Sequence, residues 1–212
     1  MSIAAGNVVG VRDAQVSRRE EILAAAEACF VRNGFHRTTI ADLAREAAMS
    51  QGNFYRYFAA KEDIVLAMAE RDRARGATML ADLEREGGQR AVLTGILTRY
   101  FTDLTRSAAV LRVDLWSEAT RNPAIATLIE RGEAEAREWL CGMFAMLATS
   151  PDCDPAAMFD ALNPLMKGII VSRATLPGYD PSTAVAHLQA LIEAGLRGSL
   201  PRAAEALPET SR

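Results

Sequence analysis

Apolar residues recur along this chain at intervals of three and four, the period of a helix with one buried face, and nothing reads as a strand. The first sixteen residues show no such period and read as a mobile arm. Ser17-Arg18-Arg19-Glu20 then has capping-box spacing, with Ser17 as N-cap and Glu20 reaching back. Ile22, Ala26, Cys29 and Phe30 follow on one face, and Asn33-Gly34 supplies the stop. Thr38 or Thr39 caps a second helix whose apolar face is Ile40, Leu43, Ala44 and Ala47. That pattern halts near Ala48-Met49, and Ser50 can cap a third, very short helix.

The third helix carries four aromatics in five positions, in the stretch Met49 to Ile64 that reads MSQGNFYRYFAAKEDI. Phe54 and Phe58 are four apart and share a face, Gln51 and Tyr55 share a second, and Asn53 and Tyr57 a third. The two Phe can anchor the helix to its neighbours while the Tyr and amide side chains face out. Three short helices with a tight turn between the second and third make a helix-turn-helix. Beyond Lys61 the pattern predicts long helices: Lys61 to about Glu86, Gln89 to about Ser107, Ala109–Thr120, Pro123 to about Ser150, Asp154–Leu176 and Pro181–Leu200. The tail from residue 201 to 212 reads as frayed. The expected class is all-α, with about nine helices, an arm over 1–16, a helix-turn-helix domain over 17–61 and a helical effector and dimerisation domain over 62–200.

The run Gly34-Phe35, Thr38-Thr39-Ile40, Leu43-Ala44, Ser50-x-Gly52-x-Phe54-Tyr55-x-Tyr57-Phe58-x-x-Lys61 resembles the DNA-binding domain of TetR-family transcriptional regulators, over about residues 17–64. One departure is visible: Ala48 stands in the turn where that family usually has glycine. Alanine in a left-handed backbone would cost roughly 1 kcal/mol. A short helix fits the major groove with its N-terminal residues against base edges. There Gln51 can pair bidentately with adenine, Gly52 lets the backbone approach closely, and Asn53 can donate to a base or phosphate. The resemblance implies phosphate contacts from Tyr55, Tyr57 and Lys61, with Thr39 gripping the backbone on the other side. Ser50 and Arg56 complete the expected DNA-binding set, and the helix start at Lys61 is itself favourable for an anion. Arg18 and Arg19 read as a solvated cap region, although the arm beside them could touch a minor groove.

Charge changes this picture only mildly. Residues 1–61 hold 8 Lys/Arg against 6 Asp/Glu, or +2, and residues 62–212 hold 16 against 21, or −5. This permits a nucleic-acid partner at the N-terminal end and argues against one elsewhere. Cys29, Cys141 and Cys153 are far apart without a CxxC pair, so each reads as a small hydrophobe in a cytoplasmic protein. No signal-peptide start and no apolar stretch of about 20 residues is present, so no membrane association is expected. With only His36 and His187 and no HExxH, GxSxG or P-loop, no catalytic constellation is expected, nor any cofactor or metal. A helical scaffold would show a repeat, and none is found.

One short helix reads little sequence, so two copies about 34–36 Å apart on a roughly palindromic double-stranded DNA operator are expected. The last two long helices suit a homodimer, through Met158, Leu162, Leu165, Gly168 and Ile169 on one and Val185, Leu188, Leu191 and Ile192 on the other. The resemblance also implies a small-molecule effector among the middle helices. Candidates are Phe101, Trp116, Trp139, Met143, Met146 and Met166, with Glu118 and Asn163 orienting a polar group.

Overall fold

A computed structural model of the chain describes residues 6–86 and 88–200. Among them are nine helices and no strand: α1 (Gly6–Asn33), α2 (Ile40–Glu46), α3 (Gln51–Phe54), α4 (Lys61–Glu86), α5 (Gln89–Thr102), α6 (Arg106–Ala119), α7 (Pro123–Leu147), α8 (Pro155–Thr175) and α9 (Ser182–Leu196). No helix among the described residues is long and apolar enough to cross a membrane.

The boundaries follow local chemistry, with two exceptions. Helix α1 starts at Gly6, not at Ser17, so residues 6–16 are helical rather than an aperiodic arm. Ser17 and Glu20 therefore sit inside a helix, where no orphan N–H groups call for a capping box. The rest of the expected arm and the tail from 201 lie outside the described residues. Helix α5 ends at Thr102, earlier than its apolar period suggests, because Thr105 caps the next helix by accepting the Ala108 N–H at 3.1 Å. By contrast, α8 opens as expected, with Asp154 accepting from the Ala156 and Ala157 N–H groups and Pro155 at the first position.

The chain forms two compact units, the first within Met1–Arg75 and Asp114–Leu128, the second within Gly76–Val113 and Ile129–Arg212. The first is built on Ile22, Leu23, Phe30, Phe35, Leu43, Phe54, Phe58, Ile64 and Ile125, all buried. Its core thus draws Ile125 from a segment far along the chain, which no single cut near residue 61 would include. In the second unit α8 packs on α9 and α5 on α9, over Leu93, Leu97, Phe101, Phe144, Phe159, Ile170, Leu188 and Leu196.

Candidate nucleic-acid interface

The geometry of the helix-turn-helix begins with two caps. Thr39 Oγ1 accepts the Asp42 N–H at 3.2 Å, and the Asp42 carboxylate accepts the Thr39 N–H at 3.0 Å, closing a reciprocal capping box. The Thr39 hydroxyl also donates to Asp42 at 2.6 Å. These bonds, with Arg45 nearby, hold the Asp42 carboxyl below the usual carboxylate range. The Glu46 carboxyl at the other end of α2 is lowered by a 2.6 Å hydrogen bond from Arg32. At α3, Ser50 Oγ accepts the Asn53 N–H at 3.3 Å.

Between the caps the chain reverses through Ala48 at φ 51, the one non-glycine with positive φ among the described residues. The alanine that departs from the family pattern therefore does adopt the left-handed backbone, with its Cβ crowding the following carbonyl. Beyond it α3 ends at Phe54, so Tyr55, Tyr57 and Phe58 follow the helix rather than lying on it as expected, yet both Phe turn inward. Phe54 and Phe58 are buried with ring centroids 6.1 Å apart. Gln51, Gly52, Tyr55 and Arg56 are exposed, Tyr55 by 54%, while Asn53 and Tyr57 are half-buried.

Lys61 is placed differently from the expected phosphate contact. Its Nζ donates to the Phe35 carbonyl at 2.8 Å and the His36 carbonyl at 3.2 Å, and it lies 4.6 Å from the Phe35 ring centroid. Two of its three N–H donors are therefore used inside the protein. The α4 start is likewise occupied: Asp63 accepts the Ala59 N–H at 3.1 Å and the Ala60 N–H at 2.9 Å, so an incoming anion meets a carboxylate. The preceding peptide is held as well, the Phe35 N–H donating to Asp114 Oδ2 at 2.5 Å. Gly34, at φ 79, makes that turn possible, and Thr38 Oγ1 closes it on the Gly34 carbonyl at 2.7 Å. Sequence reasoning missed Asp63 and Asp114. The acidic third position of α4 is a readable cap signal, whereas Asp114 lies 79 residues from Phe35 and left no local trace.

The effector candidates fall into both units. Trp116 and Glu118 belong to the first, where Glu118 is buried and pairs with Arg121 at 2.6 Å and with His36 at 3.6 Å. In the second, Phe101 and Met143 are buried, Trp139 and Met166 half-buried and Met146 exposed. Asn163 donates to Glu133 at 3.0 Å, which Lys167 also meets at 2.9 Å. A groove of about 430 Å³ runs along Arg19, the α3–α4 turn and Glu70, and a cavity of about 320 Å³ lies at Thr102, Arg173 and the α8–α9 turn; neither is lined by any of the eight candidates.

The expected dimer residues also separate. Met158, Leu162, Ile169, Val185, Leu188 and Ile192 are buried in the chain's own core, so they do not form a face open to a partner. Leu165 and Gly168 are exposed, Leu191 is half-buried, and the open α8 face continues to Val171. A helix with apolar residues on both sides carries two stripes of equal period, and periodicity alone does not say which one the core takes.

Residues 22–68 match the family described as bacterial regulatory proteins, tetR family, and residues 89–197 match the BetI-type transcriptional repressor C-terminal domain. Among characterised proteins, the HTH-type transcriptional repressor AcnR of Corynebacterium glutamicum is 34% identical over 97 residues. That match covers 46% of each chain, so this chain spans less than half of that relative's length. The regulator UidR of Escherichia coli is 26% identical over 125 residues, 58% of this chain and 62% of its own. Among solved structures, Salmonella enterica GusR matches with a TM-score of 0.67 at 23% identity, over 85% of this chain and 95% of its own. Bacillus subtilis FadR, solved in complex with stearoyl-CoA, matches with a TM-score of 0.69 at 19% identity, over 84% and 98%. A Saccharomonospora viridis regulator solved with choline matches with a TM-score of 0.69 at 22% identity, over 84% and 96%. At such identities these structures speak for the fold.

Proposed function

Because the chain belongs to the TetR family of transcriptional regulators, we propose that it acts as a homodimeric repressor, released from a roughly palindromic operator by a small, largely apolar effector. Its membership makes it a DNA-binding regulator and not an enzyme. The observation that carries the finer reading is α3 with the turn that follows it: buried Phe54 and Phe58 anchor one side, and Gln51, Gly52, Tyr55 and Arg56 stand open on the other. In the major groove Gln51 reads adenine, Asn53 assists, and Gly52 allows the backbone close. Tyr55 and Tyr57 donate hydroxyls to phosphates, and Ser50 and Thr39 flank them. Lys61 adds its remaining N–H.

The partner subunit covers the open face of α8 at Leu165, Gly168 and Val171, together with His187 and Leu191 of α9. Nothing lies within 4 Å of where a Gly168 Cβ would be, which leaves room for a second helix. The effector is taken by the second unit around Trp139, Met143 and Met166, whose soft side chains suit apolar molecules. Choline and stearoyl-CoA in the two related structures set precedents of different polarity for this fold. Effector binding favours a conformation whose recognition helices are wrongly spaced, and operator affinity falls by the differential binding energy. Helix α4, unbroken from Lys61 to Glu86, is the natural lever.

Footprinting on the chain's own upstream DNA at two salt concentrations tests this. A protected, roughly palindromic site whose affinity drops steeply with salt is expected. Protection of a single half-site by a monomer would overturn the dimer reading, and salt-insensitive binding would overturn the phosphate contacts.

A further inference from the structure

The backbone enters the turn before α3 through the Ala47–Ala48 peptide, and this peptide is held from outside the turn. Arg18 of α1 donates from Nη2 to the Ala47 carbonyl at 2.9 Å, across 29 residues of sequence. Its other arm, Nη1, donates to Glu21 at 2.5 Å, which orients the guanidinium one turn along the same helix. The Ala47 carbonyl lies just past the last residue of α2, where regular intrahelical partners run out. The next residue is Ala48 at φ 51, in a region that glycine adopts freely and alanine does not.

A peptide is a rigid plane, so its orientation is set by ψ of the residue before it and φ of the residue after it. A hydrogen bond to the Ala47 oxygen therefore restrains the two torsions that aim everything beyond. Gln51 and Tyr55 lie beyond that pivot. We propose that Arg18 is a positioning residue for DNA reading, clamping the Ala47–Ala48 peptide so that the turn keeps its left-handed alanine and α3 its direction. The proposal rests on reading α3 as the recognition helix. Without the clamp, Ala48 relaxes toward ordinary backbone conformations, α3 swings away, and apparent affinity falls with the fraction of chains still competent. This differs from a phosphate contact, which the remaining donors of Arg18 would allow by chemistry alone.

Three full-length variants separate the two roles: Arg18→Ala, Ala48→Gly and the pair. Alanine is a good helix former at position 18, so α1 is retained. Affinity is measured against salt on a duplex selected from a random pool by the unaltered protein. Arg18→Ala should weaken binding about tenfold, as loss of a charge-assisted hydrogen bond at a pivot would, with the slope of log K against log salt unchanged. In the Ala48→Gly background the same change should cost about twofold or less, because glycine holds the turn without help. A slope reduced by about one per site would make Arg18 a phosphate contact and overturn the proposal. An undiminished loss in the glycine background would overturn it too. Amide exchange at Ala48 and Met49 gives a DNA-free readout: faster in Arg18→Ala, slow again in the double variant. Unchanged exchange would sink the clamp. Should no duplex be selected, the reading of α3 fails, and exchange alone decides whether Arg18 holds the turn.

Discussion

Helices α3 and α8 use apolar residues in opposite ways. In α3 and the turn after it, residues 51–58, the two Phe are buried, and what remains outside is amide, glycine, hydroxyl and guanidinium. In α8 one apolar stripe, Met158, Leu162 and Ile169, is buried, and a second, Leu165 and Val171, is left open, with Leu165 48% exposed. A short helix with one anchored side is committed by its own sequence to present the other. A long helix with two apolar sides is committed only after its neighbours have chosen one. The first pattern suits a polar partner such as DNA, the second an apolar one such as a like helix.

The largest effect that breaks this contrast is removal of the anchor. Phe54→Ala should destabilise the first unit by about 3–5 kcal/mol and abolish DNA binding, in thermal melts and binding isotherms. Gln51→Ala, three residues away on the exposed side, should leave the melt unchanged and relax preference at one base pair by about 1–3 kcal/mol. On α8, Leu162→Ala should cost about 2–5 kcal/mol in the melt. Leu165→Asp should instead shift sedimentation from dimer to monomer, with a change in the monomer's own stability within about 0.5 kcal/mol. Equal sedimentation for wild type and Leu165→Asp would place the open stripe outside any interface. Ala48→Gly should raise stability by about 1 kcal/mol in denaturant titrations, through relief of the left-handed alanine.

The smallest effect expected is one of pH. Asp42 and Glu46 are held below their ordinary pKa, so their contribution is present above the unfolded carboxylate range. It is lost as pH falls through their lower folded values. Melts of the wild type should therefore weaken on acidification in that window, and Asp42→Asn should show a shallower dependence. Both groups are solvent-facing, so a large loss from Asp42 alone would contradict this account.

How much was legible in the sequence follows the range of the interactions. The caps, Thr38 or Thr39 and Ser50, and the burial of Phe54 and Phe58 rest on neighbours three or four residues away and were legible from spacing. Asp42, as the second half of the capping box, was not read. The glycine missing from the turn was legible as well, and Ala48 takes up the geometry this implied. Lys61 was expected at a phosphate because the family resemblance implies it; its carbonyl partners at Phe35 and His36 lie 26 and 25 residues away and left no local signal. Arg18 with Ala47 and Asp114 with Phe35 are farther apart still. Helical period identified the apolar residues of α8 and α9, but which of them face inward depends on packing of elements remote in sequence, as with Met158, which lies against Gly195.

The bond from the Phe35 N–H to Asp114, and the burial of Ile125, bear on how such a protein can be recombined. A fragment cut anywhere between α4 and α6 would keep α1, α2 and α3 and lose both. Its Phe35 amide would be left without the carboxylate, and an apolar surface would be uncovered where Ile125 had been. The DNA-reading part is thus a module in space but not a contiguous cassette in the gene. A chimera that grafts a new sensor onto it has to carry residues 114–128 along with residues 6–75.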